Sequence, residues 1–207
     1  MSRRHSIHLV SAIALTAGLC CTRAPLERIC PDLSPGDLVI SEIRGKQASV
    51  DTYGQWIELY NTTDEAIPLG GISVDLYKLD GSGNFRFIVR DDEVEIPARS
   101  YAVLSGVVAA DKPFTTYAYG DEISADLYAG AFVEVYSCEN EVDQMFYRAL
   151  PAEGTLSLDG ALEPDADDND STDDGRWCTD ATPADPNEPV TELGIRGTPG
   201  EANRPCP

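Results

Sequence analysis

Histidine is almost missing from this chain. Its only two copies, His5 and His8, sit within the first eight residues. Everything after them lacks the commonest general acid–base and the commonest imidazole metal ligand. A Ser-His-Asp or Cys-His site cannot be assembled there, and neither a Cys-x-x-Cys nor a His-Glu-x-x-His spacing is present to hold zinc. Positive charge is scarce too: 15 Lys and Arg stand against 36 Asp and Glu, a formal net charge of −21. A phosphate backbone is held by clustered cations, so nucleic acid is not an expected partner. Cations, basic surfaces, and protein or polysaccharide ligands met through a β-surface suit the charge better. No apolar run approaches the roughly 20 residues of a membrane-spanning helix. Sustained helical periodicity is also lacking.

The longest apolar stretch is near the start. Arg3 and Arg4 precede Ile7 to Leu19, a run interrupted by His8, Ser11 and Thr16. A short apolar segment behind a basic one reads as an export signal, here residues 1–20. Cys20 and Cys21 stand where a lipoprotein signal places its lipidated cysteine, although Leu19 replaces the small residue usual before it. Cleavage after Ala17 or Gly18 is the alternative. Residues 21–35 then form a tether. The expected location is the periplasm or the cell surface, through a lipid anchor in the membrane, or free secretion if Cys20 and Cys21 are not lipidated.

Cys30, Cys138, Cys178 and Cys206 remain, an even set in an exported chain, which implies two disulfides. Four cysteines allow three pairings. Between them the chain alternates as strands do, at Phe85-Arg86-Phe87, Glu93-Val94-Glu95-Ile96 and Phe132-Val133-Glu134-Val135-Tyr136, with apolar runs at Leu38 to Ile40 and Tyr101 to Leu104. Turn formers separate these runs at Leu69-Gly70-Gly71, Asp80-Gly81-Ser82-Gly83-Asn84 and Glu153-Gly154. The pattern predicts an all-β sandwich with one core. Strict alternation puts Ile57 and Leu59 on the core face of a central strand, with Trp56, Glu58 and Tyr60 opposite. It also sets Glu42 on the face of Leu38 and Ile40, an odd place for a charge. Glu42 and Glu58 read either as a glycosidase-like carboxylate pair or as hydrogen-bonded carboxylates tying loops to the sheet. Asn61 reads as a turn former.

Residues 163–175 are the one strongly biased segment. Asp165, Asp167 and Asn169 have the alternate spacing of a calcium loop. Asp170 then stands where that loop needs Gly, and Arg176 where it needs Glu, so this is no EF-hand. Asp165, Asp167 and Asp170 are the candidate calcium ligands; the other reading is a solvated acidic loop. The Pro-rich stretch 181–189 is read as loop or extended chain packing over the sandwich.

Three motifs frame the β region: Gly36-Asp37-Leu38-Val39-Ile40-Ser41-Glu42-Ile43, then Gln55-Trp56-Ile57-Glu58-Leu59-Tyr60-Asn61, and at the far end Gly197-Thr198-Pro199-Gly200-Glu201-Ala202-Asn203. In this order they resemble the lamin tail domain family, over residues 36–203, with 204–207 left as a tail. The resemblance implies an immunoglobulin-like β-sandwich of the sort found in nuclear lamins and in many secreted bacterial proteins, stabilised here by its disulfides. It also implies that Glu42, Trp56, Glu58, Asn61, Pro199, Gly200 and Asn203 are structural, since the family is not enzymatic. The first and last segments of such a sandwich can lie close together. The expected bonds are therefore Cys30–Cys206 as an end clasp and Cys138–Cys178 within. The expected function is a non-catalytic binding or structural module of an exported bacterial protein; the alternative is a calcium-assisted adhesion module.

Overall fold

The computed structural model describes residues 30–107, 113–120, 126–183 and 195–207. The leader, Cys20 and Cys21, most of the tether and most of the Pro-rich stretch lie outside the described residues. Seven strands follow in the first half: β1 (Leu38–Arg44), β2 (Trp56–Asn61), β3 (Ile67–Pro68), β4 (Ile72–Lys78), β5 (Asn84–Ile88), β6 (Glu95–Ile96) and β7 (Tyr101–Ser105). After them come β8 (Tyr117–Ala118), β9 (Ala131–Ser137), β10 (Asn140–Tyr147), β11 (Thr155–Leu158), the single-turn helix α1 (Ala166–Asn169) and β12 (Trp177–Asp180). One sheet runs β12-β11-β1-β2-β7-β8 and the other β10-β9-β4-β5, with β3 and β6 pairing apart. Every pairing is antiparallel except β7 with β8. This is the all-β sandwich that the alternation predicts, in the immunoglobulin-like form that the resemblance implies. Among the described residues no helix is long and apolar enough to cross a membrane.

The core forms where the inward residues of the two sheets meet. Ile40, Ile43, Ile57, Leu59 and Leu104 come from one sheet; Val74, Leu76, Phe87, Val133 and Val135 come from the other. All are fully buried. The strand expected at Glu93–Ile96 shrinks to the two residues of β6. Asp91 begins a turn instead, its carboxylate accepting from Glu93 N and its carbonyl from Val94 N.

Both expected disulfides are re-paired. Cys30 bonds Cys138 and Cys178 bonds Cys206. The clasp fails because the two ends lie on different sheets. Cys30 is held at the end of β9, where Pro31 O accepts from Ser137 Oγ. Cys206 lies over the edge of the larger sheet, where its N–H donates to Asp159 at 2.9 Å and the nearby Arg204 pairs with Asp180 of β12.

Candidate functional site

The framing motifs converge on the outer face of the six-stranded sheet. The convergence depends on a β-bulge. Ile40 opposes Leu59, but Glu42 opposes Glu58, leaving Ser41 as an extra residue in β1. One extra residue turns every later side chain to the other face. Glu42 therefore leaves the face of Leu38 and Ile40, where strict alternation had placed it, and joins Trp56 and Glu58 on the outer one. Ile43 takes the core position opposite Ile57.

Two carboxylates now stand directly across from each other, each with no exposed surface. Like charges in that arrangement repel, and burial without partners is costly. Glu42 Oε1 accepts from Trp56 Nε1 at 3.1 Å. Its Oε2 accepts from Thr155 Oγ1 at 3.0 Å, Ser157 Oγ at 2.9 Å and Thr198 N at 3.1 Å. Glu58 accepts from Ser41 Oγ at 2.7 Å and from Gly200 N at 2.6 Å. Burial pushes both carboxyls up from their ordinary value, and the Glu42 charge pushes Glu58 further. The denser set of donors around Glu42 favours its ionised form and partly offsets that burial.

The C-terminal motif is the cover over this pair. Thr198 to Glu201 form a turn closed by Glu201 N to Thr198 O at 3.0 Å, with Pro199 and a left-handed Gly200 (φ 83°) at its centre. The turn aims Gly200 N at Glu58. At Gly197 a Cβ would come within 2.7 Å of Glu42 Oε2, so only glycine admits so close an approach. Asn203 closes the cover: its amide donates to Ser41 O at 2.8 Å, at the bulge itself, and its Oδ1 accepts from Thr198 Oγ1. Trp56 is fully buried between Arg44, 4.8 Å from its ring centroid, and Phe114 at 5.3 Å. Arg44 is itself buried and grips Asp51 through both terminal nitrogens. Asn61 sits apart, its Oδ1 accepting from Thr63 N at 2.8 Å and its amide serving the carbonyls of Glu65, Ile96 and Pro97.

The chain matches the Lamin Tail Domain family over residues 31–149. It belongs to the lamin tail domain family. No curated protein matches it. The immunoglobulin-like lamin tail domain is generally a non-catalytic fold, and a buried, capped carboxylate pair is in keeping with that.

The carboxylates of the acidic segment are spread over separate local contacts. Asp165 caps α1 by accepting from Asp167 N at 2.9 Å. Asp168 pairs with Arg176, Asp173 with Arg148, and Asp167 and Asp170 are exposed. Among the described residues no group of three or more His, Cys, Asp or Glu is placed to hold a metal. Arg176 and Arg148 supply counter-charge to Asp168 and Asp173, neighbours of the three candidate ligands. Sequence reasoning passed over Thr155, Ser157 and Asp143. The first two had a visible signal, hydroxyls at alternate positions of a strand facing away from Leu156 and Leu158. Asp143 is turned inward by a second bulge, in β10. It accepts from Ile40 N at 2.7 Å and Asn169 Nδ2 at 2.8 Å, and Asn169 also serves Ile40 O. β11 pairs with β1 only at Glu42 and Ile43, so these two side chains satisfy backbone groups of Ile40 that the sheet leaves over. Burial pushes Asp143 up to about 7.

Proposed function

We propose that this lamin tail domain is a non-catalytic binding or structural module of an exported bacterial protein, tethered to a membrane through a lipidated Cys20 or Cys21. The observation carrying the module reading is the place where the three motifs meet. Their carboxylates are sealed under the Gly197–Asn203 cover, hydrogen-bonded to backbone and hydroxyl donors, with no surface open to a substrate. A glycosidase pair needs room for a sugar ring and, in inverting enzymes, a water between the carboxyls. Export is supported by the leader pattern and by two disulfides, which persist in oxidising compartments. We take the domain to run from 36 to 203, past the matched segment, because β11 and β12 complete the larger sheet and the last motif closes over β1 and β2. Its partner is a protein or polysaccharide at the cell surface.

Mass spectrometry of the mature protein, extracted with disulfides intact, tests the reading. The expected species begins at Cys20 or Cys21 and carries acyl mass on that cysteine. A chain that keeps residues 1–19 and fractionates with the cytosol overturns both export and anchoring.

A further inference from the structure

The outer face of the four-stranded sheet is built differently from its counterpart. Pairing sets its outward residues in rows across the strands. Phe146 opposes Phe132, which opposes Tyr77, so β10, β9 and β4 contribute one aromatic row. The adjacent row is polar: Gln144 opposes Glu134, Glu134 opposes Asp75, and Asp75 opposes Arg86. Phe132 is 39 % exposed. A cavity of about 220 Å³ opens at the β10 end, walled by Phe132 and Phe146, with Gln144 and the exposed Asp170 at its border.

We propose that this aromatic-walled cavity is a docking site for the Lys or Arg side chains of a basic protein segment. Aromatic faces attract cations through their quadrupole, and the chain already uses this one so: the Arg148 guanidinium lies 5.6 Å from the Phe146 ring centroid. Asp170 and Glu134 supply negative charge beside the rings, on a protein whose net charge is −21. That charge complements a basic partner and repels a second copy of the same face. The two phenyl rings are inclined at 48° to each other with centroids 5.6 Å apart. Inclined rings wall in a compact cation, whereas a pyranose lies best on a flat platform. This site goes beyond the module reading and does not depend on export or lipidation.

The probes are capped hexalysine and hexa-arginine peptides, titrated against the oxidised full chain at about 0.15 M salt, where weak long-range attraction is screened. Amide NMR shifts are expected at Phe132, Gln144, Phe146 and Asp170. Phe132→Ala is expected to weaken binding at least about fivefold, and Glu134→Gln to weaken it less. Glu93→Gln, which removes the same charge from an exposed turn off this face, is expected to change affinity less than about twofold. The proposal is overturned if Phe132→Ala and Glu93→Gln behave alike, which is the result of diffuse charge attraction. It is equally overturned if a neutral oligosaccharide shifts these amides and the peptides do not, or if they respond only to protein concentration, as in self-association.

Discussion

The two sheets of this sandwich finish their outer faces in opposite ways. On the six-stranded sheet the row Ser157–Glu42–Glu58–Val103 is fully buried or nearly so, because the 197–203 segment returns to lie over it. On the four-stranded sheet the row Phe146–Phe132–Tyr77 has no such cover among the described residues and is partly exposed. Polar groups on the first face are held by buried donors in fixed positions. Those on the second, apart from the buried Asp75 held by Arg86, are held by surface pairs such as Arg148 with Asp173 and Tyr136 with Glu134. A buried polar group is costly to leave unpaired, while exposed pairs are worth little. Stability should therefore concentrate under the cover, leaving the open face free to vary and to bind.

Glu42→Ala should show the contrast at its largest. It strands the Trp56 indole N–H, two hydroxyls and the Thr198 N–H. Each buried unsatisfied group costs about 1–3 kcal/mol, so a loss of about 4 kcal/mol or more is expected in a urea titration. A loss under about 1 kcal/mol would mean that the cover opens in solution and water serves these donors.

Next in size is the staple that holds the cover's far end. Cys178–Cys206 closes a loop of 28 residues, worth roughly 3.5 kcal/mol on the chain-entropy model. The double change Cys178→Ala with Cys206→Ala should lower stability by about that much. It should also speed amide exchange at Thr198 and Gly200 while leaving the amides of β9 and β4 protected. Uniform loss of protection in both sheets would show that the two faces are not separate in stability.

Much of this architecture is legible in the chain. Alternation reveals the strands, and the three motifs reveal both the family and the residues that meet. Two things are not legible, for physical reasons. The bulges at Ser41 and Val142 each add a residue without a marker such as Gly, so period-two counting fails beyond them: Glu42 is assigned to the wrong face and Asp143 escapes notice. The disulfide pairing depends on which sheet receives each terminus. That is decided by contacts such as Pro31 O with Ser137 and Cys206 N with Asp159, which are far apart in sequence. In the acidic loop the spacing shows a resemblance to a calcium loop but not the pairing of Asp168 with Arg176 and of Asp173 with Arg148, the second of which is distant in sequence.

A smaller effect is expected from pH. Asp143 has its carboxyl pushed from an ordinary 3.8 up to about 7, by burial first, with Asp170 nearby adding to it. The native state then binds more protons than the unfolded chain between those values, so stability falls as pH rises through the window and levels off above it. The contribution is fully present below about 4 and is lost by about 8. From pH 5 to pH 8 the loss from this group is about 3 kcal/mol, taking about 1.4 kcal/mol per unit. Glu42 and Glu58, also raised, act with the same sign. Asp143→Asn keeps acceptors for Ile40 N and Asn169 and carries no charge. It should flatten the curve by that amount and be the more stable protein at pH 8. An unchanged slope would place the titration elsewhere.

Phe132→Ala on the open face should do least. The ring is 39 % exposed and leans on Phe146 rather than filling the core. Removing a fully buried Phe costs about 3–5 kcal/mol, but here the transfer term shrinks with the exposed area and the gap left is open to solvent rather than an enclosed void. The remaining loss is one aromatic pair and part of a side chain, about 1 kcal/mol. In thermal melts the variant should stay close to the parent, in contrast to Glu42→Ala. That near-neutrality is also what lets the same substitution report on binding without unfolding the protein. A loss of about 3 kcal/mol would mean that the four-stranded sheet is covered after all, and that the two faces are finished alike.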